Sequence, residues 1–267
     1  MSAAGRESAD FVVIGSGIAG LTFALTVEGQ GRVLIVTKKD DAESATNMAQ
    51  GGIAAVFEQT DSFDRHIEDT LGAGVGLCRR EAVEIAVRSG PGAVERLMAW
   101  GARFSREASP DGHQRLSLGR EGGHSIRRIV HAADMTGEER ETALLNAVED
   151  SPDIEILEDH IAIDLIVSQS GPERYCAGVH VLDVEAGAVR TFSSPVVVCA
   201  TGGCGKVYLY TTYPDLACGV GCAMARRAGV AVRNLEFFQF HPTCLYHPDV
   251  MSVLLSEAVR GEGAVLR

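Results

Sequence analysis

The sequence predicts an α/β fold built on a parallel sheet. Near its start, a short apolar strand leads into a glycine cluster and a helix, and residues 154–200 are rich in β-branched residues and turn residues. The 267 residues include 30 glycines but only 6% aromatic residues, which indicates that backbone approaches backbone or a ligand closely at several places. At roughly 150 residues per domain, this length suits one large domain or two smaller ones.

The first predicted element is a βαβ unit. It consists of the apolar strand 11–14, the pattern GxGxxG at 15–20, a helix to about residue 28 and the apolar strand 33–36. Gly15 permits a tight turn, Gly17 lets the backbone approach a pyrophosphate, and Gly20 lets helix and sheet pack closely. Since these glycines follow a strand and open a helix, they predict dinucleotide binding; glycines that serve packing alone are the alternative.

The end of the second strand departs from the NAD-type fingerprint. That fingerprint places an acid there to bind a ribose, whereas this sequence has Thr37-Lys38-Lys39. A simple NAD site is therefore disfavoured. Lys38 either contacts phosphate or adenosine in a differently built site or is a solvated surface residue.

The second half of the chain contains a predicted β-meander. Strands are predicted at 154–157, 161–167, 177–184 and 196–200, with turns at 170–172 and 185–187. The last strand delivers Ala200-Thr201-Gly202-Gly203, where backbone can again approach a cofactor. A βαβ unit followed by such a meander and strand is typical of Rossmann-like, two-dinucleotide folds that bind FAD. Helices are predicted at 138–149 and over 64–100, interrupted at Gly90-Pro91-Gly92.

Composition excludes several classes of function. The net charge is −12, which argues against nucleic acid as a partner. No apolar run reaches the roughly 18 residues of a membrane span, and the start lacks a signal-peptide pattern, so we expect a cytoplasmic protein without a membrane span. Seven cysteines without CxxC spacing indicate neither a disulfide framework nor a zinc site, and no metal is expected.

Six motifs together suggest a family. In chain order they are GSGIAG at 15–20, AQGGIAA at 49–55, REGGHS at 120–125, ATGG at 200–203, FHPT at 240–243 and SEAVRGEG at 256–263. Over essentially the whole chain, they resemble the flavoprotein family of succinate dehydrogenase, fumarate reductase and L-aspartate oxidase, and most of all its L-aspartate oxidase branch. The resemblance implies an FAD-binding domain over 1–236 that lacks its C-terminal return, and the start of an α+β substrate-capping domain over 237–267.

The resemblance also implies which residues contact FAD. These are Gly15, Ser16, Gly17, Ile18, Ala19, Gly20, Lys38, Ser44, Ala45, Thr46, Asn47, Met48, Ala49, Gln50, Gly51, Gly52, Thr201 and Gly202. Many relatives attach the flavin covalently through a histidine at the position of Ala45, so FAD is expected to be non-covalent here. The amides of Gly51 and Gly52 are expected to face the isoalloxazine ring. Val220 stands where the family usually has an acid that contacts FAD, and the loss of that contact is expected to weaken binding roughly tenfold to a hundredfold if its partner stays buried and unpaired.

The implied substrate site is made of polar side chains. Glu121 lies in the substrate pocket, where a carboxylate offsets part of the desolvation of an ammonium group. His241 holds a substrate carboxylate, Ser256 and Glu257 line the same pocket, and Arg260 belongs to a proton-relay path. Glu257 and Arg260 are thus the implied catalytic residues, and the main catalytic arginine is expected beyond residue 267.

Residue patterns alone leave other interpretations of this site open. Without the resemblance, Glu121 is a surface acid and His241 a loop residue. His124, Arg127 and Arg128 are either groups beside the pocket or a solvated basic stretch.

The implied chemistry is hydride transfer from the substrate Cα to flavin N5. It converts L-aspartate to iminoaspartate, with O2 or fumarate as electron acceptor. This reaction is the first step of de novo NAD biosynthesis, with quinolinate synthase as a pathway partner. Two alternatives stay open: a soluble fumarate reductase or succinate dehydrogenase flavoprotein, and a truncated, non-catalytic FAD-binding fragment.

Overall fold

A computed structural model of the chain describes residues 6–39, 44–109, 112–132, 136–241, 243–245, 247, 253–255, 259 and 263–265. The chain divides into two compact units. Met1–Met48 and Leu144–Leu254 form the first, which we call the sheet unit; Ala49–Ala143 and Leu255–Arg267 form the second, which we call the helical unit.

The described strands and helices are as follows. The strands are β1 (Arg6–Ser8), β2 (Phe11–Ile14), β3 (Val33–Val36), β4 (Ile53–Ala54), β5 (Arg106–Ala108), β6 (Gln114–Leu116), β7 (Leu118–Gly119), β8 (Ile129–Val130), β9 (Ile154–Leu157), β10 (His160–Ser170), β11 (Glu173–Asp183), β12 (Ala188–Ser193), β13 (Val196–Cys199), β14 (Cys244–Leu245) and β15 (Val253–Leu254). The helices are α1 (Ile18–Thr26), α2 (Phe63–Ala73), α3 (Arg80–Ala99), α4 (Thr136–Glu149) and α5 (Val220–Arg227), with a 3₁₀ turn at Gly205–Val207.

A four-stranded parallel sheet with the order β13-β2-β3-β9 organises the sheet unit. Its central strands are apolar runs, FVVI in β2 and VLIV in β3, as expected for strands that are covered on both faces. Val13 points toward α1, where its Cγ1 lies 3.2 Å from the position that a Cβ of Gly20 would take. The predicted βαβ unit is confirmed, and so is the predicted α/β fold.

The opposite face of this sheet packs against the meander. Strands β10, β11 and β12 are antiparallel neighbours, and β1 adds to β12 in parallel. Val12 and Ile14 of the parallel sheet share one buried core with Val179 and Phe192 of the meander and Met224 of α5. The meander was predicted, but β12 was missed, and β10 and β11 are longer than expected.

The helical unit contains the paired helices α2 and α3, the small sheet β4-β8-β7 and the hairpin β5-β6. The predicted helix break at Gly90-Pro91-Gly92 is wrong, because α3 continues through Pro91. Val87 before the proline and Val94 and Leu97 after it are all buried. Packing on both sides therefore outweighs the one backbone hydrogen bond that a proline removes.

The predicted domains, 1–236 and 237–267, are not the same division as these two units. Few residues beyond 241 are described, so the predicted capping domain stays a prediction. None of the described helices is both long and apolar enough to cross a membrane.

Candidate functional site

A cavity lies in the sheet unit, where β2, β3 and β13 end. Its volume is about 770 Å³, including the part open to solvent. It is lined by residues 14–17, 36–38, 44–46, 160, 162, 200–203, 214, 216, 217, 220 and 224. The carboxyl ends of parallel strands are where open α/β sheets bind ligands, so we call this cavity the dinucleotide pocket.

Two glycines of the GxGxxG turn are in close backbone contact, and Gly15 also lines the dinucleotide pocket. Gly15 has a φ of +114°, and a Cβ on it would lie 2.4 Å from the carbonyl oxygen of Ala200. A Cβ on Gly20 would lie 2.0 Å from the carbonyl oxygen of Gly15. Both positions therefore require glycine, as the GxGxxG pattern predicted.

The first amide of α1 points toward the Ser44–Thr46 segment. Gly17 is the N-cap of α1, and the Ile18 N–H donates to Thr46 Oγ1 at 3.1 Å. Ser44 Oγ in turn accepts the N–H groups of Thr46 and Asn47, at 2.9 and 3.1 Å. This short turn and the positive end of the helix dipole together form a wall suited to a pyrophosphate.

Two predicted cofactor residues use their side chains to hold the pocket together. Ser16 Oγ donates to Thr37 Oγ1 at 3.0 Å, and both residues are buried. Lys38 Nζ donates to the Leu216 carbonyl at 2.9 Å and lies 3.1 Å from Cys218 Sγ. Lys38 is thus not simply a solvated surface lysine. Its ammonium group connects the end of β3 to the pocket wall at 214–218, so it is not wholly available to a phosphate.

The far wall combines the ATGG segment with the start of α5. Gly202 has a φ of +67°, and Thr201 packs so closely on Gly221 that a Cβ there would lie 1.7 Å from Thr201 Oγ1. Val220 lines the pocket and packs against the buried core. Its apolar side chain offers no hydrogen bond at this wall. Ala45, which also lines the pocket, has no nucleophilic atom.

Several pocket residues were missed by sequence reasoning. His160, Ala162, Leu216 and Met224 all line the cavity. His160 is fixed on both ring nitrogens, since Arg190 donates to Nε2 at 2.9 Å and Nδ1 lies 2.5 Å from the Glu158 carbonyl oxygen. No local pattern marks these residues, because tertiary packing alone brings them to the strand ends.

In the helical unit, two of the predicted motifs come together. The N–H of Gly52 donates to Glu121 Oε1 at 3.2 Å, and a Cβ on Gly51 would lie 3.5 Å from the same oxygen. A Cβ on Gly52 would lie 2.3 Å from Ile129 Cγ2, so only glycine fits there. Glu121 is therefore a half-buried acid fixed on the diglycine turn rather than a free surface acid.

A buried ionic cluster adjoins residues 120–125, which we call the Glu121 loop. Arg128 is fully buried; its Nε and Nη2 donate to Asp61 at 2.8 and 2.9 Å, and its Nη1 donates to Asp69 at 2.7 Å. Although burial alone would lower the pKa of Arg128, the hydrogen bonds to both aspartates raise it. The interpretation of Arg128 as part of a solvated basic stretch is wrong, because its charge is compensated inside the unit.

Two histidines adjoin this cluster. His124 Nδ1 lies 3.3 Å from Arg128 Nη1, and the rings of His66 and His124 meet edge to face with centroids 5.6 Å apart. Burial lowers the pKa of both histidines, and the Arg128 charge lowers both further. Since a guanidinium only donates, His124 Nδ1 accepts, and its neutral ring carries the proton on Nε2.

The remaining predicted residues are more scattered. His241 lies in a second cavity of the sheet unit, about 800 Å³ in volume, beside Tyr208, Phe238 and Phe240. Its Nδ1 lies 2.9 Å from the Thr243 carbonyl oxygen and 3.2 Å from the Thr243 nitrogen. Ser256, Glu257 and Arg260 lie outside the described residues.

The stretch from Asn47 to Gln50 follows the Ser44–Thr46 turn. Met48 is about half exposed. Gln50 Oε1 is buried and has no hydrogen-bond partner within the part of the chain that the structure describes. That part also contains no cluster of three or more histidine, cysteine or acidic side chains suited to a metal ion.

Comparison with known proteins identifies relatives over the whole chain. The FAD binding domain family matches residues 10–267. L-aspartate oxidase 1 of Ralstonia nicotianae is 51% identical over 96% of this chain and 48% of its own length. L-aspartate oxidase of Yersinia pestis is 48% identical over 100% of this chain and 51% of its own length. The chain thus spans about half the length of the curated relatives it matches.

Solved structures of similar fold also match nearly the whole chain. A quinol fumarate reductase of E. coli superposes with a TM-score of 0.88 at 33% identity, covering 97% of this chain and 43% of that chain. Sdh1 of Mycobacterium smegmatis, in complex with UQ1, gives a TM-score of 0.84 at 34% identity, covering 96% of this chain and 44% of that chain.

Proposed function

Because this chain belongs to the FAD binding domain family, we propose that it is part of an FAD-dependent L-aspartate oxidase. The protein oxidises L-aspartate to iminoaspartate, and fumarate or O2 accepts the electrons. The similar L-aspartate oxidases support this substrate, with 51% and 48% identity over nearly the whole chain. A cytoplasmic location and quinolinate synthase as a pathway partner stay predictions of the sequence.

One observation carries the choice of an amino-acid substrate. Glu121 is fixed by the Gly52 N–H at 3.2 Å, beside the Gly51-Gly52 turn that is predicted to face the flavin ring. Aspartate differs from succinate by one ammonium group. A fixed carboxylate attracts that group and offsets part of its desolvation cost, whereas it gains nothing from succinate.

The dinucleotide pocket fits FAD. Gly15 allows the tight turn, Gly17 lets the backbone approach a pyrophosphate, and α1 begins there with the positive end of its dipole. Ser44 and Thr46 brace that turn through their hydroxyl groups. When bound, FAD supplies the acceptor for a hydride from the substrate carbon.

We further propose that FAD is held without a covalent bond. Ala45 stands at the lining of the pocket and has no atom that can bond to the flavin ring. Thr201 and Gly202 form the opposite wall, and Lys38 supports the pocket by holding the Leu216 carbonyl. Denaturation should release non-covalent FAD. The flavin absorbance of the protein-free filtrate measures the released FAD directly.

His241, Ser256, Glu257 and Arg260 are proposed to serve the dicarboxylate and its proton. Histidine and serine donate hydrogen bonds to a carboxylate, which orients the substrate carbon. Arg260 and Glu257 are suited to move a proton. The main catalytic arginine is assigned to the part of the longer protein beyond residue 267.

Glu121→Gln tests the proposed substrate. The purified full-length protein is reconstituted with FAD, and kcat/KM is measured for L-aspartate and for succinate. Because glutamine keeps the shape and the Gly52 hydrogen bond but removes the charge, we expect kcat/KM for L-aspartate to fall roughly tenfold to a hundredfold. Turnover of succinate should not fall, because the variant removes a carboxylate that repels the succinate dianion.

Glu139→Gln is the matched control. Glu139 Oε1 also accepts a backbone N–H in the helical unit, that of Arg103 at 2.9 Å, yet it is not part of the Glu121 loop. Its substitution should leave both activities unchanged. Equal loss of L-aspartate and succinate turnover in Glu121→Gln would contradict the proposed role.

A soluble fumarate reductase or succinate dehydrogenase flavoprotein is the second candidate. The superposition on quinol fumarate reductase at a TM-score of 0.88 favours it. The same measurements separate the two functions, because this candidate turns over succinate or fumarate and leaves L-aspartate unchanged.

A further inference from the structure

The loop that carries Glu121 is closed on itself. The His124 N–H donates to the Glu121 carbonyl at 3.4 Å, and Arg120 Nε donates to the His124 carbonyl at 3.0 Å. Gly123 has a φ of +80°, which a side chain rarely adopts. These two bonds join the end of the loop at His124 to the end that carries Glu121.

The far end of the loop is anchored on a single carboxylate oxygen. Asp69 Oδ2, reaching from α2, accepts the Ser125 N–H at 2.9 Å, the Ser125 hydroxyl at 2.7 Å and Arg128 Nη1 at 2.7 Å. All three donors belong to the loop or to the strand entrance that follows it. The Asp69 side chain is 17% exposed and its bond from Arg128 is partly buried, whereas Ser125 itself is exposed.

Arg128 keeps Asp69 in place. The guanidinium is held by two parallel bonds to Asp61, whose side chain is 1% exposed, and it presents its remaining edge to Asp69. Burial alone would raise the pKa of Asp69, but the bonds from Ser125 and Arg128 outweigh burial and lower it. Asp69 is thus a fixed anion at neutral pH.

We infer that Asp69 is a positioning residue for Glu121: through Ser125 it holds the closed loop that sets the Glu121 carboxylate on the diglycine turn. Only the expected effect on substrate choice rests on the proposed function. The anchoring itself follows from the contacts among α2, the loop and Arg128. Asp69 would thus influence the selection of an aminated substrate although it does not contact Glu121.

Ser125→Ala tests the anchor with the least disturbance. It removes the hydroxyl bond to Asp69 and leaves the Arg128 cluster complete. In the full-length FAD-loaded protein, hydrogen–deuterium exchange of the segment 120–126 should rise about tenfold, because a hydrogen bond to a charged group is lost. Ser125→Thr keeps the hydroxyl and should restore slow exchange.

Ser117→Ala is the matched control. Ser117 Oγ donates to a carboxylate oxygen of Glu107 at 3.2 Å in the same unit but outside the loop. Its exchange pattern over 120–126 should equal that of the unchanged protein. A thermal unfolding scan of each variant verifies that the helical unit stays folded.

Kinetics then test positioning against a merely structural role. Ser125→Ala should raise KM for L-aspartate about tenfold with less than a twofold change in kcat, leave succinate turnover unchanged, and be rescued by Ser125→Thr. Unchanged exchange over 120–126 in Ser125→Ala overturns the inference. Faster exchange with an unchanged KM for L-aspartate also overturns it, because Glu121 would then not depend on the anchor.

The proposed function can fail separately. If the unchanged protein turns over no L-aspartate while Ser125→Ala loosens the loop and Ser125→Thr restores it, the anchoring by Asp69 is supported and the proposed reaction is wrong.

Discussion

The dinucleotide pocket and the Glu121 loop are held together by different kinds of groups. In the sheet unit, the pocket is shaped by backbone and small residues, among them Gly15, Ala200 and Gly202. In the helical unit, the Glu121 loop is held by charges, with a fully buried Arg128 between two aspartates.

This difference fits the two kinds of ligand. A dinucleotide is long, and backbone amides along a wall recognise its phosphates without any side chain. A small dicarboxylate with one ammonium group offers few atoms, so a charge must be held at a defined place. The pocket is therefore sensitive to added volume, whereas the loop is sensitive to lost charge.

The largest effect is expected from Arg128→Met. Methionine fills much of the volume but leaves Asp61 and Asp69 without their partner, so the free energy of unfolding should fall by about 3–5 kcal/mol. Urea unfolding followed by circular dichroism measures this loss. Arg88→Met is the control, since Arg88 pairs with Asp64 at 3.4 Å on the surface and should cost less than about 1 kcal/mol. Equal losses in the two variants would remove the distinction between buried and exposed charge.

Gly15→Ala should break the pocket by volume alone. The added methyl would lie 2.4 Å from the Ala200 carbonyl oxygen at a φ of +114°, so overpacking and backbone strain should together cost about 2–4 kcal/mol. FAD binding, followed by flavin fluorescence, should be lost as well. Gly187→Ala separates the two causes: its φ is +61° but no atom lies within 4 Å of the added methyl, so about 1 kcal/mol is expected. A similar cost at both glycines would show that strain, not contact, shapes the pocket.

The smallest expected effect is a pH dependence of the free energy of unfolding, which arises from the two histidines beside Arg128. The folded protein keeps His66 and His124 neutral because burial lowers the pKa of both, whereas the unfolded chain binds protons below about pH 6.5. Their contribution to stability is therefore complete above that pH and is lost as the pH falls toward the lower folded pKa values. The slope reaches at most about 1.4 kcal/mol per pH unit for each histidine.

His66→Gln provides the check on this pH dependence. Urea unfolding between pH 7 and pH 5 should give a smaller slope in this variant than in the unchanged protein. An identical slope would mean that His66 is not kept neutral by its surroundings.

Much of the fold was predictable because its signals are local. Strands Phe11–Ile14, Val33–Val36 and Ile154–Leu157 lie where the apolar runs placed them. Local reasoning failed at Pro91, where buried residues on both sides keep α3 continuous. Local reasoning also did not reveal that Lys38 donates to the Leu216 carbonyl, because no nearby pattern indicates that contact.

The sequence by itself determined the dinucleotide pocket and the family. The GxGxxG turn depends on conformations that glycine adopts easily, and the strands beside it are short apolar runs, so both signals are local. Only the tertiary structure decided how Glu121 is held. Asp61 and Asp69 come from one part of the chain and Ser125 and Arg128 from another, and no periodic pattern in the sequence reveals which charges pair. Burial made that pairing necessary, because an unpaired charge inside the unit would be too costly to keep.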